Sequence, residues 1–188
     1  MANLTTAQVN ADITMLTNGF SSDERVIPSN SSLIKTSFFV PALSVFLSLL
    51  STVSVYLPGS APKSIEGYFE FLLSDGWIVV LPTAIVGMLF ALMAYNNMIM
   101  YMTIPQHVRQ SSLILSHLKN IAKKTIIFFL VLMCVSTVLA GFYSWFAFGV
   151  TALEVVLFFT INIAIGAEVN RLGAGVALEK ISNIIKKI

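Results

Sequence analysis

HVRQSSLILSHLKNIAKK, residues 107–124, lies between two long runs that carry no charge at all. It holds Arg109, Lys119, Lys123 and Lys124 and not one acid. Ile114, Leu118 and Ile121 recur on one helical face, flanked by Leu115 and Ala122, with Ser112, Ser116, Lys119 and Lys123 opposite. A stretch both basic and half apolar suits the boundary between hydrocarbon and water. There its apolar side stays buried and its cations meet anionic headgroups. The runs on either side then belong in a bilayer, and that decides the fold.

Composition agrees. The 188 residues are 56% hydrophobic and 11% charged, with a mean hydropathy of +0.85. A soluble domain carries roughly 25% charged residues, so most of this surface cannot face water. A net charge of +2, with no basic run interleaved with aromatics, excludes nucleic acid as a partner. Cys134 is the single cysteine and cannot form an intramolecular disulfide. Residues 1–35 are polar, with acids and no apolar core of a secretory signal.

Crossing a hydrocarbon core of ~30 Å takes about 20 mostly apolar residues. Segments 36–57, 77–102, 125–144 and 150–169 qualify, the last interrupted only by Glu154 and Glu168. Residues 145–149, WFAFG, form the turn between the last two. Four spans place both termini and the 103–124 loop on one side. Ten of the eleven Lys and Arg fall there, and only Lys63 falls on the other, beside Glu66, Glu70 and Asp75. Positive residues stay cytoplasmic, so N-terminus and C-terminus are both inside.

Further amphipathic segments flank the spans. Val9, Ile13, Leu16 and Phe20 repeat at helical spacing in the 1–35 segment, as do Ala177, Ile181, Ile184 and Ile188 in the 170–188 tail. Outside, Ile65, Phe69 and Leu72 share a face of a short interfacial helix. The sequence therefore predicts an all-α integral membrane protein: four transmembrane helices, amphipathic interfacial helices and one domain over residues 1–188. Its surroundings are the lipid bilayer, crossed several times.

Packing signals lie inside the spans. Ser44, Ser48 and Ser51 share a face of the first span with Ser37 and Ser54; Gly87 and Ala91 share a face of the second with Ala84 and Ala94. Small residues let backbones approach closely, which in lipid replaces the hydrophobic effect as the association term. Pro41 and Pro82 are expected in or just inside first turns, where proline is tolerated best.

Chemistry is sparse. No metal-protease, nucleophile-elbow or phosphate-loop motif occurs, and His107 and His117 have no acid nearby in sequence, so neither a catalytic set, a metal site nor a cofactor is expected. Glu154 is the acid set within a span, where a carboxylate costs roughly 2.5–3.5 kcal/mol at the helix centre and so marks a functional candidate. Asn162 lies further along the same span. Ser112, Ser116 and His117 are the inner-segment residues best placed to meet a protein partner without altering the positive charge. The residues point to a protein acting by contact. They leave open an accessory subunit of a secretion or transport complex, an immunity protein to a pore-forming toxin, and a small homo-oligomeric channel.

An amphipathic N-terminal segment, then RVIPSNSSLIK (residues 25–35) leading into the first span, then a small polytopic body ending in basic residues, resembles the entry-exclusion proteins of F-type conjugative plasmids, the TraS group. The resemblance implies an inner-membrane protein that blocks redundant conjugative DNA transfer, with a TraG-like conjugation protein of the donor as partner. It carries over no functional residue.

The charge distribution sets a test of topology. With Ser60→Cys and Ser182→Cys introduced singly, a membrane-impermeant maleimide should label the first and not the second in cells stripped of their outer barrier. Labelling at 182 before permeabilisation would overturn the both-termini-inside arrangement.

Overall fold

The computed structural model describes residues 5–21, 27–59 and 63–173, and every regular element among them is helical. In chain order these are α1 (Thr6–Ser21), α2 (Asn30–Tyr56), α3 (Ile65–Phe71), a π-helical turn (Leu72–Gly76) and α4 (Trp77–Thr103). They are followed by α5 (Gln106–Ser111), α6 (Leu113–Leu139), a 3₁₀ turn (Ser144–Phe148) and α7 (Gly149–Arg171). Four helical stretches are long and apolar enough to cross a membrane: Asn30–Tyr56, Ile65–Thr103, Leu113–Leu139 and Ser144–Arg171. The chain is a multi-pass membrane protein. Phe39, Ile85, Leu89, Val131 and Ile163 stand exposed on these helices, as lipid-facing side chains do. The amphipathic tail read at Ala177, Ile181, Ile184 and Ile188 lies outside the described residues, as does the side chain of Phe20.

Element boundaries follow local chemistry. α2 starts six residues earlier than the uncharged run, because the Ser29 hydroxyl accepts the Ser32 amide at 3.3 Å and the helix then carries Lys35 in its second turn. Pro41 consequently sits well inside α2, not in its first turn. A proline there leaves the carbonyl four residues back, on Ser37, without its helical donor. The 107–124 segment is not one helix. Ser112 is extended (φ −68, ψ 121) and divides α5 from α6, and α6 then runs unbroken from Leu113 to Leu139, closing five residues short of Ser144. The outer segment is likewise not a detached helix: α3 passes through the π-helical turn directly into α4. That turn puts Leu73, not Leu72, on the exposed side with Ile65 and Phe69.

The chain divides into two compact units, Met1–Thr36 with Tyr95–Lys124 and Ile161–Ile188, and Ser37–Ala94 with Thr125–Thr160. In the first, α1 packs by Leu16 against Ile104, Val108 and Leu115, and by Val9 against Ile114, with Leu118 and Leu172 alongside. Gly19 lets α1 come close: a Cβ there would stand 3.0 Å from Val108 Cγ2.

In the second unit, hydroxyls stitch helix to helix. Ser48 donates to the Val79 carbonyl at 3.3 Å, and Thr137 reaches the Leu47 carbonyl at 3.4 Å. Thr83 Oγ1 lies 3.2 Å from Ser48 Oγ and 2.7 Å from Thr151 Oγ1, joining α2, α4 and α7. Ser51 turns back onto its own helix, donating to the Ser48 carbonyl at 2.7 Å. Gly87 and Ala91 are buried on α4, and a Cβ on Gly87 would lie 3.2 Å from Pro41 Cβ.

This contact predicts an asymmetry along α4. Gly87→Leu must push α4 off α2 and should abolish accumulation or lower the melting temperature by more than 5 °C, an overpacking cost of about 1–3 kcal/mol or more. Leu89→Ala, at a side chain 58% exposed, should leave both unchanged. Melting followed by circular dichroism in detergent decides between them.

Candidate functional site

Each unit holds one polar cluster that a bilayer protein has no structural need to bury without reason. In the second unit it centres on Glu154. α7 begins at Gly149 and turns Glu154 inward, where its side chain is 0% exposed among Ser44, Met133, Val150 and Leu157, all likewise fully buried. Room for the carboxyl exists because position 87 is glycine: a Cβ there would come within 3.3 Å of Glu154 Oε1. Neither carboxyl oxygen has a hydrogen-bond partner, and Ser37 Oγ is buried and unpartnered as well. Ser44 is the hydroxyl beside the carboxyl and close enough to interact with it; it also donates to the Val40 carbonyl at 3.2 Å and touches Met133 Sδ at 3.8 Å. Glu154 thus stands in the interior between helices, facing the Pro41–Gly87 contact. An isolated buried carboxylate is costly, and such a group persists only where it is neutralised or used.

In the first unit the cluster is built on a residue with no local signal. Asp12 on α1 is buried at 5% exposure and accepts three hydrogen bonds from the start of α6. They come from Ser112 Oγ at 2.8 Å, the Ile114 amide at 2.8 Å and the Leu113 amide at 3.2 Å. Ser112 Oγ in turn accepts the Leu115 amide at 3.1 Å. Three amides of the first turn of α6, which no intrahelical carbonyl can satisfy, are thereby paired, and a negative charge faces the positive end of the helix dipole. Ser112 is therefore an interior cap residue, 1% exposed, not a side chain displayed to a partner.

The other predicted residues fall in the same unit. His117 Nε2 lies 3.3 Å from Glu168 Oε2, and Arg171 holds the same oxygen through Nη2 at 2.8 Å and Nε at 2.9 Å. His117 thus ties α6 to the end of α7. Ser116 and Asn162 are exposed. Among the described residues no three His, Cys, Asp or Glu side chains come together as a metal site. Comparison with family models, with curated proteins and with solved structures finds no match to this chain.

The capping geometry yields a direct test. Asp12→Ala should destabilise the first unit by about 2–3 kcal/mol, the loss of a helix cap plus charge-assisted hydrogen bonds. Hydrogen exchange should accelerate at the amides of Leu113, Ile114 and Leu115 first. Asp75→Ala, an exposed acid elsewhere, should leave those amides protected.

Proposed function

We propose that this protein acts by protein contact, as an exclusion factor that blocks redundant conjugative transfer into the cell carrying it, from an inner-membrane position with both termini inside. One observation supports the reading: an exposed apolar stripe on a segment that also carries acids. Ile65, Phe69, Leu73 and Trp77 are 78%, 55%, 76% and 48% exposed along α3 and the start of α4. Glu66, Glu70 and Asp75 flank them, and carboxylates keep this segment at the level of water rather than of lipid tails.

The segment is braced from behind. Ser64 caps α3 by accepting the Gly67 amide at 3.0 Å, Tyr68 OH meets Thr52 Oγ1 at 3.0 Å, and Tyr56 packs edge-on against Tyr68 and tilted against Phe71. Lys63 spends its charge on the carbonyls of Leu57 and Gly59. A cavity of about 430 Å³ opens beside the stripe, walled by Val55, Phe71, Ile78, Trp145 and Phe148. Rigid apolar side chains next to a pocket, with a polar surround, are what an interface hot spot consists of. A mating-pair protein of the donor, of the TraG-like kind, is the partner this reading calls for. The serines of α2 favour contact over conduction, because Ser48 is spent on α4 and Ser44 and Ser51 on carbonyls of their own helix.

A recipient expressing the chain should receive a related plasmid at least tenfold less often than a control, and unrelated plasmids normally. Phe69→Ser together with Leu73→Ser should relieve exclusion while membrane accumulation stays the same. Ser116→Ala should change nothing. Equal transfer into expressing and control recipients, for every related plasmid tried, rejects exclusion and favours an accessory subunit of a membrane complex.

A further inference from the structure

Beside the Asp12 cluster, the first unit contains a second polar feature that the contact reading does not use. Tyr101, Gln106, Arg109, Gln110, Ser116 and Lys119 line a cavity of about 290 Å³. Two of the six are cations and none is an acid. The other acids described in this unit are engaged elsewhere, Asp12 with the start of α6 and Glu168 with His117 and Arg171.

Arg109 is held in place there. Its guanidinium lies over the Tyr101 ring, 5.2 Å from the centroid, a cation–π contact that fixes the plane of the fork. Its Nε is buried and has no hydrogen-bond partner. A buried donor on a permanent cation is expensive to leave unpaired, and a planar, oriented guanidinium matches the paired oxygens of a phosphate. Lys119 adds a point charge, and the Gln106, Gln110 and Ser116 side chains add neutral donors. The volume sits at the lower end of the ~300–1,000 Å³ range of small-ligand sites, which suits a headgroup and not a larger molecule.

We propose that this cavity is a binding site for a phosphate-bearing anion. Tyr101 is two residues from the end of the apolar helix α4, and Arg109 and Lys119 follow the break after it. The cavity therefore lies at the depth where lipid phosphates lie, whichever side of the membrane it faces. Basic pockets beside transmembrane helices take up anionic headgroups in this way. A free phosphate offers the same chemistry from solution.

The test follows thermal unfolding of the full chain in neutral detergent at fixed ionic strength. It is titrated with phosphatidylglycerol, phosphatidylcholine or inorganic phosphate. Phosphatidylglycerol should raise the midpoint saturably and phosphatidylcholine should not. Arg109→Gln and Lys119→Gln should each weaken the apparent affinity about tenfold, the scale of one charge-assisted contact. Lys123→Gln, which removes an equal charge from the same helix outside the cavity, should stay within twofold. Should Arg109→Gln fail to accumulate, Arg109→Lys, which keeps the charge and loses the fork, and the exposed Lys119→Gln decide the matter. Inorganic phosphate acting as strongly as the lipid, with the same dependence on Arg109 and Lys119, supports the site and assigns it a soluble ligand. No saturable shift with either, or equal weakening by Lys123→Gln, overturns the proposal.

Discussion

A helix in hydrocarbon gains nothing from hiding apolar side chains from its neighbours, since lipid tails are as apolar as leucine; what holds helices together is closeness and the pairing of polar atoms. The second unit obeys that constraint throughout. α2 presents Ser44, Ser48 and Ser51 inward, Pro41 offers a flat, donor-free surface, and Gly87 lets α4 approach it. Hydroxyls then find backbone carbonyls or one another across the gap. Two groups break the rule, the Ser37 hydroxyl and the Glu154 carboxyl, and the same closeness accommodates the second. Glu154 fits because Gly87 has no side chain, and its carboxyl is fully buried with Ser44 as the hydroxyl beside it. A conflict between local cost and overall packing of this kind is what makes Glu154 a candidate functional residue.

The first unit uses a different principle. It is organised by a single carboxylate, Asp12, set between the apolar anchors Val9 and Leu16 so that one face of α1 delivers both hydrophobic contact and a helix cap. With α6 thus started at Leu113, His117 comes to face Glu168 one turn later. The same break before α6 leaves Arg109, at the end of α5, beside Lys119 across the phosphate-sized cavity.

Much of the helical framework was legible in the sequence, because a run of more than 20 residues without charge has few other uses. The breaks were less legible. Helical periodicity runs across Ser112 without interruption, so the break there leaves no mark except that serine is a residue able to cap a helix. The one-residue shift that exposes Leu73 comes from the π-helical turn, which leaves no compositional mark. Asp12 could not be found at all by local reading: its partners lie 100 to 102 residues away. Glu154 was visible as an acid within a span, but its burial depends on Gly87 of another helix. Ser116 and Arg109 were visible as part of a basic segment, and only the fold shows that they share a cavity with Tyr101.

That long separation has a consequence for biosynthesis. α1 leaves the ribosome first, but the amides that Asp12 caps do not exist until about a hundred residues more have been made. At about 5–20 residues per second this is a delay of some 5–20 s. Throughout it the helix carries an apolar stripe with no protein to cover it. The contact between Asp12 and α6 is therefore made late, after α1 has passed that interval without the residues that finally cover Val9 and Leu16.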